Sequence, residues 1–312
     1  MGQHANDNKF LAMLCILGGV GLASTQDAIV KSMSGSYPAY EALILRCFGS
    51  VPVLAAILWR DGAYGKLATP LLGRIAVRGL ILAFAYLCFV LSIAAMPIAN
   101  AVAIYFTMPF FVAGLAGPIL GEKVRLHRWM AIIAGFIGVL IMVQPGVTDF
   151  EPAAILALLS ALGYAVGQMI GRPLAQEVSP VVIAVWQNVI YFGVGVLLAI
   201  LFSLVDTTGF KHPSLVFLSR PMVIPTLLDT AVLLGMGVIA AFAMLLFVNA
   251  YKYAEANFVA PFEYSAMIWA VLFGLLFFND FPDGYTWVGA AVVIAAGLLM
   301  VWRDRQLNRA GV

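Results

Sequence analysis

The sequence predicts an all-α membrane protein of ten transmembrane helices, arranged as two inverted-topology repeats of five. Three observations carry this. The 312 residues are 63% hydrophobic and only 10% charged, with a mean hydropathy of +1.01, whereas a soluble domain is roughly half apolar and a quarter charged. Apolar runs of membrane-crossing length, about 20 residues each, use up nearly the whole chain. The two halves also match at shared offsets. Gln26, Pro38 and Arg46 stand 142 positions before Gln168, Pro180 and Asn188, and Asn100 and Gly117 stand 157 positions before Asn257 and Gly274. An odd number of spans per half starts the second half on the opposite side of the membrane, the architecture of many alternating-access carriers.

The first repeat is read as residues 1–146, with spans at 10–32, 38–59, 74–95, 98–120 and 127–144. Span 1 is too long for a cleaved signal and has no small-residue cleavage site after a short apolar core. Span 2 starts at Pro38. Span 4 is opened by Pro97 and interrupted by Pro109 and Pro118; proline removes a backbone donor and kinks a helix. The second repeat is read as residues 147–312, with spans at 152–171, 180–205, 229–252, 257–278 and 284–302. Span 6 carries Gly163, Gly167 and Gly171 at four-residue spacing, a smooth stripe for static packing or for sliding of helices in lipid. The polar stretch Asp206 to Asp229 before span 8 accounts for the growth of the offset. Pro261 interrupts span 9, the repeat partner of span 4, so both broken spans point to a cavity beside them.

Lys9, Arg60, Lys66, Arg74, Arg78, Lys123, Arg125, Arg128, Arg172, Lys252, Arg303, Arg305 and Arg309 fall on one side of this topology. The other side holds only Lys31, Lys211 and Arg220. Lys and Arg in short loops set orientation, so both termini are expected in the cytoplasm of a bacterial inner membrane. No clustered basic patch for nucleic acid is present. Cys15, Cys47 and Cys88 sit in apolar spans without metal or disulfide spacing. His4, His127 and His212 lie in loops or the tail, and no Walker-type loop is present. An enzyme and a bound cofactor are therefore not expected, and uphill transport would draw on an ion gradient.

Ionisable groups within lipid are costly and point to function. Asp27, Lys31, Glu41 and Arg46 lie in the first hairpin as a charge network, either pinning spans 1 and 2 or breaking as an outer gate. Arg46 is the most costly, because it cannot be neutralised. Glu263 follows the Pro261 kink and has Phe106 as its repeat partner, so symmetric packing does not explain it. It is a candidate for binding a substrate cation or carrying a proton, against the plainer reading of a snorkelling or hydrogen-bonded carboxyl. Gln168, Tyr105, Tyr264, Tyr86 and Trp269 are candidate substrate contacts, since aromatic rings hold apolar or cationic groups, although such residues in spans more often pack or anchor.

Local motifs resemble the EamA family of the drug/metabolite transporter superfamily. They are Lys31 and Arg46; Pro109 followed by Leu120-Gly121-Glu122-Lys123; Trp129 to Gln144 with Gly135 and Gly138; and Val259-Ala260-Pro261-Phe262-Glu263-Tyr264 followed by Phe277-Phe278-Asn279-Asp280. Asn279-Asp280 departs from the Gly-Glu usual in the family. The resemblance implies a ten-helix bundle without a cofactor that moves small metabolites through a central cavity. The leading expectation is a secondary transporter, exporter or importer, of amino-acid-like or amine compounds, with H+ as candidate coupling ion and a monomer or homodimer as the assembly. Vitamin or nucleoside-like uptake, of flavin or S-adenosylmethionine type, is the alternative. A non-transporting scaffold or sensor is the reading from another class.

Overall fold

The computed structural model describes residues 9–120, 126–144, 151–205, 209–253, 259 and 262–309. Among these all regular structure is helical. The helices are α1 (Lys9–Met33), α2 (Ala39–Arg60), α3 (Leu72–Ala95), α4 (Ile98–Tyr105), α5 (Met108–Leu120), α6 (Leu126–Val143), α7 (Ala153–Glu177), α8 (Pro180–Leu204), α9 (Pro213–Ser219), α10 (Leu227–Tyr253), α11 (Ala266–Phe278) and α12 (Gly284–Arg309), with a 3₁₀ turn at Tyr64–Lys66. Seven of them, α1, α2, α3, α7, α8, α10 and α12, are long and apolar enough to cross a membrane. Shorter apolar stretches at Ile98–Val112, Trp129–Val143 and Ala266–Phe278 occupy the places of spans 4, 5 and 9.

One of these shorter stretches has a visible physical cause. Pro109 has no N–H to give the Tyr105 carbonyl. The helix stops at Tyr105, turns through Phe106 and Thr107, and restarts at Met108. The Ile104 carbonyl closes the turn, accepting from the Thr107 hydroxyl at 2.8 Å and from the Thr107 amide at 3.0 Å. In the second half a turn at Tyr264–Ser265 precedes α11. Pro261 itself lies outside the described residues, as do Gly121, Glu122 and Lys123. Helix α11 ends on Asn279 in the left-handed region (φ 54°), with the Asp280 amide donating back to Gly274 O at 3.0 Å. Glycine adopts that conformation most readily and asparagine next, so Asn279 suits the turn.

The chain forms two compact units. One comprises Met1–Gln26, Pro97–Phe150 and Phe242–Val312; the other Asp27–Met96 and Glu151–Ala241. Each unit draws on both sequence halves, and α1 and α10 run through both.

In the second unit α3 packs along α7 and α2 along α8. The glycine stripe of α7 is the α3 contact: Gly163 faces Ala85, Gly167 faces Leu82 and Gly171 faces Arg78. Small residues let helix backbones approach in lipid, where no hydrophobic drive separates helix from tail. Gly49 of α2 lies directly against the Leu234 carbonyl of α10, and Gly237 of α10 against the Arg46 carbonyl of α2. The matching crossing of α3 with α8 sets Gly79 against Ile190. One end of this unit is closed by Leu58, Ile75, Leu174, Val178 and Val182, with the Trp186 indole N–H bonded to Leu67 O at 3.0 Å.

The polar stretch after α8 is ordered rather than a plain loop over its described part. Ser214 donates to Leu91 O at 2.8 Å, tying α9 to α3. His212 Nδ1 accepts from the Ser214 amide, so Nε2 bears the proton it shares with Glu151 at 2.9 Å. The following segment lies on α2: the Tyr40 hydroxyl donates to Arg220 O (2.8 Å), and the Val223 amide donates to Glu41 Oε2 (3.2 Å). Thr226 and Asp229 then cap α10 reciprocally.

In the first unit α6 packs along α12, with Gly138 and Gly289 each against the other's carbonyl. Ala12, Ile16 and Val20 of α1 close on Ala250 of α10 and Val259, and the bare faces of Gly18 and Gly19 admit Leu246. Large apolar side chains such as Phe48, Phe84, Leu197 and Leu276 are exposed, as a lipid-facing surface requires.

Candidate functional site

The densest group of chemically active side chains lies in the second unit, where α2, α3 and α8 meet. Arg46 projects from α2 with its guanidinium carbon 4.9 Å from the Tyr86 ring centre and 5.8 Å from that of Tyr191. The two rings are tilted by 33° with centroids 5.7 Å apart. A guanidinium set against two ring faces is a cation–π arrangement, the kind of surface that also receives flat or cationic ligands. Asp27 of α1 is half-buried and acts electrostatically on Arg46.

The backbone beneath Arg46 is fixed from two sides. Gly237 of α10 abuts the Arg46 carbonyl. Asn188, the repeat partner of Arg46, donates to Cys47 O at 3.1 Å and accepts from Ser50 at 2.8 Å. The repeat-related pair thus stands side by side where α2 crosses α8.

Just over two turns before Tyr86 on α3, Arg78 donates from Nε to Gly167 O (3.1 Å) and from Nη1 to Gln187 Oε1 (2.9 Å). Gln187 in turn lies 3.4 Å from the Tyr191 hydroxyl. Gln168 is exposed and donates to the Tyr164 hydroxyl at 2.7 Å.

The remaining predicted residues fall elsewhere. Lys31 donates to Met96 O, at the end of α3, at 3.0 Å. Glu41 is buried, with Oε2 on the Val223 amide and Oε1 without a partner among the described residues; it serves the segment after α9 and not Arg46. In the first unit, Tyr264 sits at the turn before α11, edge-on to Phe106 (5.0 Å) with its hydroxyl against Gly297. Glu263 is half-buried beside it, and its charge acts on Tyr264. Tyr105 ends α4 at the break, and Trp269 packs over Gly21 and against Phe273. Among the described residues no group of His, Cys, Asp and Glu is placed to hold a metal.

Sequence reasoning missed Tyr191, Gln187 and Arg78. Arg78 was counted among the basic flanking residues, yet it lies within α3, half-buried and facing α7. Its signal was the bare surface of Gly167 and Gly171, which leaves room for a guanidinium and exposes a helix carbonyl to it.

Residues 10–144 and again 151–302 match the sequence profile of the EamA-like transporter family. The chain is similar to a riboflavin transporter of Rhizobium johnstonii, 31% identical over 83% of this chain and 84% of that protein. It is 24% identical to an S-adenosylmethionine uptake transporter of Rickettsia prowazekii, over 91% of this chain and 90% of the relative. A pseudopaline exporter of Pseudomonas aeruginosa is 26% identical over 88% and 89% of the two chains. A solved crystal structure superposes with a TM-score of 0.65 at 18% identity, covering 95% of this chain and 98% of the other, which shows the shared fold. This chain is an integral membrane transporter, and it belongs to the EamA family of the drug/metabolite transporter superfamily.

Proposed function

We propose that this transporter carries a metabolite built from a planar heteroaromatic ring and a polar chain, of flavin or S-adenosylmethionine type, by alternating access across a bacterial inner membrane. The 31% identity to a riboflavin transporter over most of both chains carries the reading. The Arg46–Tyr86–Tyr191 group supports it physically. Two aromatic faces and a guanidinium plane form a stacking surface, and stacking onto a ring is sequence-tolerant chemistry that every heteroaromatic system satisfies. The names of the relatives do not carry free amino acids or amines, the leading expectation from sequence. The amino-acid character survives only as the methionyl part of an S-adenosylmethionine-type substrate.

In this reading the two repeats, residues 1–146 and 147–312, exchange roles during the cycle, with both termini cytoplasmic. Glu263 at the turn before α11 is the candidate coupling carboxyl, and Gln168, Tyr105, Tyr264 and Trp269 are candidate contacts. Uptake into proteoliposomes of labelled riboflavin, S-adenosylmethionine and free amino acids, with and without a pH gradient, tests it for wild type and Glu263→Gln. Saturable flux of one heteroaromatic compound, with gradient stimulation lost in the variant, is expected. Flux of free amino acids alone would overturn the substrate assignment, and an unaltered variant would remove Glu263 from coupling.

A further inference from the structure

Arg46 and Arg78 occupy the same unit but differ in how their charges are met. Arg46 has Asp27 within electrostatic reach. Among the described residues Arg78 bonds a carbonyl and an amide oxygen, Gly167 O and Gln187 Oε1, and no carboxylate. A half-buried cation among neutral groups in a membrane-spanning helix is costly, and such groups mark ligand pathways. Two bonds also hold the guanidinium at a fixed angle. Of its five N–H donors, those on Nη2 make no bond to a described residue.

We propose that Arg78 is a second substrate-contact point, which takes an anionic oxygen group, carboxylate or phosphate, at the end of the chain borne by the heteroaromatic ring. This rests on the ring-and-chain reading above. Arg78 and Tyr86 are eight residues apart on α3, about 12 Å at the α-helical rise. A ring stacked at Tyr86 would direct a ribityl phosphate or a methionyl carboxylate along α3 toward Arg78. The Tyr191–Gln187 pair lies between the two arginines and offers polar partners to the chain. Arginine suits this position because its planar fork meets carboxylate and phosphate bidentately.

The test compares riboflavin with riboflavin 5′-phosphate, which differ only in the anionic group. Their affinities are measured by quenching of flavin fluorescence for wild type, Arg78→Gln and Arg78→Lys in phosphate-free detergent. Wild type should bind the phosphorylated form about tenfold more tightly, the step expected of one charge-assisted contact. Arg78→Gln should lose that preference, its affinity for riboflavin 5′-phosphate falling about tenfold further than its affinity for riboflavin, and Arg78→Lys should keep part of it.

No preference in wild type overturns the proposal, and this outcome needs no variant. Equal loss of both ligands in Arg78→Gln also overturns it, since a mere stitch between helices behaves so. Phosphatidylglycerol that abolishes the preference assigns the charge to a lipid headgroup and overturns the substrate role. If neither flavin binds, the ring reading fails separately. Inorganic phosphate then decides: a raised unfolding midpoint in wild type, smaller in Arg78→Lys and absent in Arg78→Gln, supports the anion site, and no rise in wild type refutes it.

Discussion

Gly237→Ala tests whether the α2–α10 crossing sets the position of Arg46. An added Cβ would stand 2.6 Å from the Ser50 amide nitrogen and 2.8 Å from the Gly49 carbonyl carbon, and would overlap the Arg46 carbonyl oxygen. All three are backbone atoms, so no side chain can swing away. Ordinary contact begins near 3.4 Å, so the helices must part by most of an ångström or more. Overpacking of this kind costs about 1–3 kcal/mol, and the rigid partners place this site near the upper value. Gly235, one residue pair earlier on α10, has nothing within 4 Å of its added Cβ. There alanine gains about 0.5–1 kcal/mol of helix stability. The two variants should therefore differ by about 3–4 kcal/mol in opposite directions from wild type. Thermal unfolding of the purified proteins in one detergent measures the difference, and riboflavin uptake reports the displaced Arg46. Equal midpoints and equal uptake in Gly237→Ala and Gly235→Ala would refute the reasoning.

Three further substitutions probe separate parts of the account. Arg46→Lys keeps the charge but loses the planar face over Tyr86 and Tyr191; uptake should fall about tenfold with little change in stability. Asn188→Ala removes the bonds to Ser50 and Cys47 and should lower stability by about 1–2 kcal/mol, since interhelical hydrogen bonds in membranes average about 0.6 kcal/mol and a stranded partner adds to the loss. At the left-handed end of α11, Asn279→Gly should be neutral or stabilising, whereas Asn279→Val should cost about 1–2 kcal/mol, both read from unfolding midpoints.

The repeat was legible because it is written in residues with backbone consequences. Pro38 and Pro180 open α2 and α8, and the matched Arg46 and Asn188 meet at the crossing of those helices. Pro109 announced the break between α4 and α5 for the same reason. The site was less legible. Tyr86 and Arg46 were visible as a costly charge and a mid-span aromatic, but Tyr191 gives no periodic signal and joins them only through the α2–α8 packing. Arg78 looked like a topology signal, because sequence position near a helix start does not reveal that a glycine stripe on another helix receives it. Glu41 was read as a member of the hairpin network. Its bond to the Val223 amide depends on the fold of the segment after α9, which no local pattern specifies.

Equilibrium binding of riboflavin to the purified protein, compared with Arg46→Gln and Tyr86→Leu, tests the central claim most directly. Saturable quenching of flavin fluorescence is expected in wild type, weakened at least about tenfold in each variant. Unchanged affinity in both variants would contradict it, and would move the substrate away from the Arg46–Tyr86–Tyr191 group.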